Sequence, residues 1–420
     1  MPPKPLEAIV EKMQERIQKE MYDKYYSLYA IAIKFLQKED VLMYGGTAIN
    51  TIFPKKDKFY GDFELPDLDC FSTQAKSVAD RLVAEYKKHD KSHVSTVRGA
   101  LHDGTWKVMV NGAPIADISQ ISKASFKKLS NGAMEGDLGI KVPNLEFLRM
   151  TLYILMSQPI DSHRWTKVYE RLVLFNKLYP VKAPECEAPK AGKAAPEDKT
   201  PKKSIKTIFE YLKSTPYIVF GANNLFINIA SLAKTKVNSV SDVVEAGEDC
   251  VYILVDSKKE LKETVEDIAK DLNKLHDKSR EPNDPKFTAS DKVFPSDDFI
   301  SEHAFINCGD RKVMGVFSTG DVCLNYVPHN GVRVGTLHTI IRMLYSMYFS
   351  SYATLPLSTI KCLMSVMVTI QAKSLRKGSQ QHGVLNQFVT DCYGDQPRIF
   401  TLRRDQFMRL KKANDEKAKK

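Results

Sequence analysis

The stretch VLMYGGTAINTIFPKKDKFYGDFELPDLDCFS, Val41 to Ser72, decides how this chain is read. The run EDVLMY predicts a short strand that ends at Gly45-Gly46, and Thr47 to Asn50 opens a helix with a polar residue near its start. Downstream, PDLDCFS predicts a second strand. Side chains alternate along a strand, so Asp67 and Asp69 project together while Leu68 turns into the core. Two neighbouring carboxylates repel unless a cation lies between them. Hard oxygen ligands with open positions suit Mg²⁺ or Mn²⁺. A third strand carboxylate, Asp117 in APIADISQIS, completes a candidate site for two ions, which in such sites sit about 3.5–4 Å apart. The glycines then acquire a use. Without a Cβ at Gly45 or Gly46, phosphate oxygens can approach the backbone. The following helix offers free N–H groups and its positive dipole end, and Thr47 Oγ1 adds a donor.

The same periodicity extends outward. From Leu6 to Leu36 the apolar residues Ile9, Met13, Ile17, Met21, Tyr25, Leu28 and Ile31 keep helical spacing. Ala75–His89 predicts an amphipathic helix. VSTVRG, TWKVMVN and PIADIS predict strands, the last two joined by an Asn111-Gly112 hairpin turn. NLEFLRMTLYILM is apolar on all sides and predicts a buried helix, followed by a helix in SHRWTKVYERLVLFNKLY. Composition then changes. Val181–Ser204 is rich in Pro, Ala and Lys, has almost no large apolar residues, and predicts a mobile linker.

Beyond the linker the order of elements repeats. Gly139–Gln158 aligns without gaps on Gly331–Ser350, and LMYGGTAIN resembles IVFGANNLFIN (Ile218–Asn228). VYILVDSKKELKETVEDIAKDL predicts a strand and helix. A duplicated domain is the reading adopted. The second copy lacks the Gly-Gly and places Leu254 and Asp256 where the paired aspartates are expected, so it reads as catalytically empty. The resulting organisation is an N-terminal helical segment (1–40), a catalytic domain (41–180), the linker (181–204), a degenerate copy (205–400) and a basic tail (401–420).

Composition bounds the rest. The chain has 420 residues, 43% of them apolar, which suffices for two domains. A net charge of +11 and a pI near 9.0 fit a polyanionic partner, such as nucleic acid or an acidic membrane surface, as well as simple solubility. No apolar run reaches the roughly 18 residues of a membrane span, and the N-terminus has no signal-peptide core. The seven cysteines are scattered without a CxxC pair, which argues against a disulfide framework and a zinc site and suits a reducing compartment.

The ordered pattern of strand, Gly-Gly-Thr, helix, DxD strand, helix and third-strand Asp resembles the nucleotidyltransferase superfamily related to DNA polymerase β. More narrowly, YGGTAIN, LPDLDCFS, ADISQIS and HRWTKVYERL resemble the poxvirus-type poly(A) polymerase catalytic subunit, in the form carried by giant cytoplasmic DNA viruses. That resemblance implies an α/β (α+β) fold, a mixed sheet flanked by helices and followed by a degenerate copy. It also implies Asp67, Asp69 and Asp117 as catalytic, metal-binding triad and Gly45, Gly46 and Thr47 as the phosphate loop. The activity implied is template-independent transfer of AMP from ATP to an mRNA 3′ end with two Mg²⁺ or Mn²⁺ ions. The setting implied is the host cytoplasm, its viral factories or the virion, with a homodimer or a processivity subunit as partner. Two rivals stand beside it: another nucleotidyltransferase, CCA-adding or acting on small molecules, and a non-catalytic RNA-binding subunit.

Other residues are weighed individually. Lys55, Lys56 and Lys58 lie between the phosphate loop and the DxD, where they are solvated or guide triphosphate or RNA. Trp165 and Arg164 read as a buried aromatic and a structural ion pair more readily than as RNA contacts. Arg149, inside an apolar helix, is expected to pair with a structural carboxylate. His102, His303 and His382 lack metal-ligand spacing. The run LRRDQFMRLKKANDEKAKK is expected to be partly disordered and either solubilising or an RNA-backbone contact.

Overall fold

The computed structural model describes residues 4–181, 200–233, 250–256, 258–277, 284–352, 355–375, 383–396 and 399–418. The predicted linker, except its ends, and His382 lie outside the described residues. Two compact units are present: Met1–Leu148 with Arg398–Lys420, and Arg149–Pro397.

The first unit begins with α1 (Lys4–Leu36), then β1 (Leu42–Met43), α2 (Gly45–Ile52), β2 (Leu68–Ser72), α3 (Ala75–His89), β3 (Ser95–Gly99), β4 (Thr105–Val110) and β5 (Ala113–Gln120). After these come α4 (Lys123–Ser130), the small hairpin β6 (Met134–Glu135) and β7 (Lys141–Val142), and α5 (Leu145–Met156). The five-stranded sheet has the order β1-β2-β5-β4-β3. Only β2 and β5 run parallel, and the other pairs are antiparallel. The long crossover from β2 through α3 permits that parallel pair. Val78, Ala79, Leu82 and Tyr86 bury one face of α3, each large apolar side chain contributing about 1.5–3 kcal/mol. The Tyr86 hydroxyl donates to the Leu28 carbonyl at 2.5 Å, so the C-terminal half of α1 is tied to α3. The N-terminal half of α1 is exposed.

The second unit continues with α6 (Trp165–Leu178), α7 (Thr200–Leu212), β8 (Ile218–Gly221), α8 (Asn223–Leu232), β9 (Val251–Val255), α9 (Leu261–His276), β10 (Phe287–Ala289), β11 (His303–Cys308) and β12 (Arg311–Ser318). Then follow β13 (Leu324–His329), β14 (Val332–Gly335), α10 (Leu337–Phe349), α11 (Leu357–Leu375) and β15 (Cys392–Tyr393). Its eight-stranded sheet has the order β10-β11-β12-β9-β8-β14-β13-β15. The portion β8-β9-β12-β11-β10 reproduces the first sheet strand for strand. β9 and β12 are parallel and the remaining pairs antiparallel, as in β2 and β5 and their neighbours. The duplication read from similar segments and the repeated order of elements is matched by this strand order.

Register corrects one sequence expectation. The ladder Leu68↔Ala116, Asp69↔Asp117 corresponds to Val251↔Met314, Tyr252↔Gly315. The counterparts of Asp67, Asp69 and Asp117 are therefore Cys250, Tyr252 and Gly315, not Leu254 and Asp256. Alternation along a strand makes a two-residue error invisible to sequence, because both registers bury the same face.

Three further differences appear. The boundary between units falls inside α5, where the catalytic segment was expected to run to residue 180, because Arg149 has its partners beyond it. The Arg149 guanidinium donates to Asn176 Oδ1 at 2.9 Å, to the Tyr345 hydroxyl at 3.4 Å and to the Tyr179 carbonyl. These neutral oxygens are among its partners. Cys323 and Cys392 form a disulfide, brought together by pairing of β13 with β15, and Cys362 is disulfide-bonded as well. Spacing in sequence carries no signal for such a pairing, so the expectation of free thiols fails there. Finally, the basic C-terminal run is α12 (Ile399–Ala418), a helix docked on the first unit. Gln406 donates to the Gly99 carbonyl and Arg409 to that of Leu101.

Candidate active site

Asp69 is the second residue of β2, and β5 sets Asp117 directly opposite it in parallel register. Paired residues share a face and neighbouring strands lie about 4.8 Å apart. The row continues: Lys107 of β4 is opposite Asp117, and Arg98 of β3 is opposite Lys107. Two acids and two bases thus cross four strands in line. Lys107 Nζ lies 2.8 Å from Asp117 Oδ2, with their side chains 34% and 20% exposed. That half-buried pair leaves both groups reachable from solvent.

Asp67 sits just before β2. The Thr47 hydroxyl donates to its backbone carbonyl at 2.7 Å and is itself buried. Thr47 therefore anchors the start of the acidic strand, and its hydroxyl proton is already used. Helix α2 begins at Gly45, two residues earlier than sequence suggests, and its N-cap Tyr44 supplies no side-chain cap. The first N–H groups of α2 consequently lack intrahelical partners. Gly45 has φ +76°, and a Cβ there would meet Asp69 Oδ2 at 3.0 Å. Glycine is required at this position twice over, for its backbone angle and for the carboxylate beside it.

Around the row the side chains are fixed. The Tyr44 ring stacks on Phe71 with centroids 3.9 Å apart, and its hydroxyl is 3.0 Å from Ser119 Oγ, which lies 2.9 Å from Thr105 Oγ1. Burial, and then the Asp69 carboxylate, raise the Tyr44 phenol above its ordinary range. Burial followed by Asp67 and Asp69 push Tyr29 up to about 12. The buried Cys70 thiol is raised by the same two causes, burial and Asp69. Beyond burial, the charge of Asp69 acts on all three groups.

Carboxylate oxygens in this row are of the right type for Mg²⁺ or Mn²⁺. Among the described residues no three His, Cys, Asp or Glu side chains are already drawn around one point. The Lys107 ammonium occupies one side of Asp117. Lys107 and Arg98 were absent from the sequence reading. A plain two-residue hairpin would set Ala116 opposite Lys107, but a register shift between Val108 and Met109 brings Asp117 there instead.

The other weighed residues are structural or solvated. Lys58 pairs with Asp137, and Lys55 and Lys56 are exposed. Trp165 Nε1 donates to the Leu155 carbonyl at 3.0 Å. His303 is buried between the rings of Phe294 and Phe317.

Strand order and helix placement define the class, a nucleotidyltransferase-like fold. Residues 30–162 match the family model described as poly(A) polymerase catalytic subunit. It is an enzyme, a nucleotidyltransferase that adds poly(A). The crystal structure of the Megavirus polyadenylate synthase superposes with a TM-score of 0.74 at 18% identity, over 98% of this chain and 82% of that one. No curated protein sequence matches the chain.

Proposed function

We propose that the chain transfers AMP from ATP to the 3′ end of mRNA without a template, using Mg²⁺ or Mn²⁺ held by Asp67, Asp69 and Asp117. The observation that carries this reading is the in-register pair Asp69–Asp117 beneath the Gly45 turn. The divalent ions, when bound, neutralise charge on the triphosphate and lower the barrier to deprotonating the attacking hydroxyl. Asp117 draws the proton of the RNA 3′-hydroxyl. The new bond joins that oxygen to the α-phosphorus of ATP, and the bond to the pyrophosphate oxygen breaks in line. Backbone N–H groups at Gly45, Gly46 and Thr47 receive phosphate oxygens. Lys107 and Arg98 extend the row with positive charge, which suits a strand of RNA phosphates leading to Asp117. Catalysis is chiefly positioning and charge neutralisation.

The second unit carries no second active site. Tyr252, 5% exposed, fills the space where Asp69 would stand. A Cβ on Gly221 or Gly315 would meet its ring at 3.0 and 2.7 Å.

The partner in this reading is a second copy or a processivity subunit, supported by α1. Its residues Ile9, Met13, Ile17 and Met21 are each 50–59% exposed on consecutive turns, an apolar stripe of the kind that helices bury against one another. The setting is a giant-virus factory in the host cytoplasm, or the virion. Among the described residues no helix is long and apolar enough to cross a membrane.

The test is extension of a short labelled RNA with each NTP, with Mg²⁺ and with EDTA. Long products from ATP alone, lost in EDTA, are expected. Single or CCA additions would point to the nucleotidyltransferase rival, and RNA binding without extension to a non-catalytic subunit. Asp69→Ala should abolish extension while the protein stays folded.

A further inference from the structure

The second unit holds a cavity of about 440 Å³ that the catalytic reading does not use, within the roughly 300–1,000 Å³ of small-ligand pockets. Its floor is the valine surface of β8 and β14, formed by Val219, Val332 and Val334. In register, Val219 pairs with Ile253 and Val334. The cavity therefore lies on the opposite sheet face from the Tyr252 ring. One wall is α7, with Phe209 presented between Lys206 and Lys213, and the other is α8, with Asn224 and Asn228 one turn apart.

We infer that this cavity binds a nucleotide, with the base against the valine floor and Phe209 and the phosphate at the lysines. Flat apolar walls with an aromatic ring suit a heterocycle, and carboxamides match the paired donor and acceptor on a base edge. Three carboxamides gather here. Asn228 Nδ2 lies 3.0 Å and Asn330 Nδ2 3.2 Å from Nε2 of His329, which ties these side chains into one polar cluster at the mouth. Asn224 makes no hydrogen bond among the described residues and is exposed to the cavity. The charge is matched to phosphate. The single acid among the described lining residues, Glu210, is held by Lys213 at 2.7 Å, so Lys206 has no carboxylate partner among them. A lipid or apolar ligand would leave these amides and the ammonium groups without partners, at a desolvation cost.

The nucleotide can come from two sources, a free mononucleotide or one residue of an RNA strand. Photolabelling of the full chain in EDTA separates them, with 8-azido-AMP in one arm and oligo(A) carrying one 8-azidoadenosine in the other. Label is expected on peptides spanning 205–213 or 224–228. The double variant Lys206→Glu, Lys213→Glu, at exposed positions that do not threaten folding, should lower that label about tenfold, and Asn228→Leu should do the same. Labelling in the AMP arm identifies a free nucleotide; labelling with oligo(A) alone identifies a strand. Absence of label in both arms, or label unchanged in both variants, overturns the inference. Extension activity, read separately with Mg²⁺, reports on the catalytic unit and is independent of either outcome.

Discussion

Gly45→Ala puts the candidate site under direct strain. Two costs follow from the geometry. At φ +76° an alanine occupies the left-handed region, which costs about 1–2 kcal/mol. The new methyl also lies 3.0 Å from Asp69 Oδ2. Asp69 cannot retreat along the strand, since its carbonyl accepts from Tyr44 N–H at 2.8 Å and its backbone is laddered to β5. Only the carboxylate can move, by a side-chain rotation. A displacement near 1 Å at the reacting centre lowers rate by about a hundredfold. The expected variant is folded, less stable by about 1–2 kcal/mol in urea denaturation, and slower in AMP incorporation by about two orders of magnitude. Gly315→Ala is the paired control. Its methyl would press on Tyr252 at 2.7 Å, costing about 1–3 kcal/mol of overpacking with extension rate unchanged per folded molecule. If Gly45→Ala extends RNA within twofold of the parent, Asp69 is not the metal-holding carboxylate and the site lies elsewhere.

Lys107→Met removes the ammonium beside Asp117. The pair is partly exposed, so stability should change by no more than about 1 kcal/mol, while the Mg²⁺ concentration for half-maximal extension should fall because a competing cation is gone; an unchanged Mg²⁺ curve counts against Lys107 acting at Asp117. His338 is fully buried, and burial lowers its imidazole to about 4. The unfolded chain then binds the extra proton first, so stability is complete above about pH 6.5 and declines as pH falls towards 4, by about 3 kcal/mol at most. Urea midpoints of His338→Leu should show a shallower decline over that window, and a parallel decline would place the acid sensitivity in another group. Ile17→Glu should convert any dimer to monomer in sedimentation without altering the fold, whereas an unchanged mass would remove α1 from the interface.

What sequence could show was what local physics dictates. Helix α3 runs from Ala75 to His89 as its amphipathic spacing requires. The Asn111-Gly112 turn has φ of 50° and 83°, the two positive angles for which that dipeptide is suited. Alternation put Asp67 and Asp69 on one face and Asp117 entered as a third strand carboxylate; the register sets Asp69 and Asp117 opposite each other. The missed features are nonlocal. The shift at Val108/Met109 that lines up Lys107, the Cys323–Cys392 bridge and the docking of α12 on β3 each depend on contacts between distant segments. The Tyr252 equivalence was missed because it depends on register, which two apolar strands leave open.

The two copies differ in how the same space is filled. In each, a glycine at the end of the first strand removes a Cβ from above the second strand. Gly45 leaves room for the Asp69 carboxylate, and Gly221 leaves room for the Tyr252 ring. In the second copy Gly315 replaces the third acid and deepens that room, and Phe220 and Phe317 pack against Tyr252. A charged, solvent-reachable row has become an apolar cluster without any change in strand order. Loss of three acids removes mutual repulsion that the first copy offsets with Lys107 and, under the proposed function, with divalent cations. The first copy should accordingly be the less stable of the two in EDTA, and divalent ions should raise its unfolding midpoint selectively. Hydrogen exchange at Asp69 and Tyr252 amides, with and without Mg²⁺, measures this directly. Protection that rises equally at both positions would mean that the ion binds outside the acidic row.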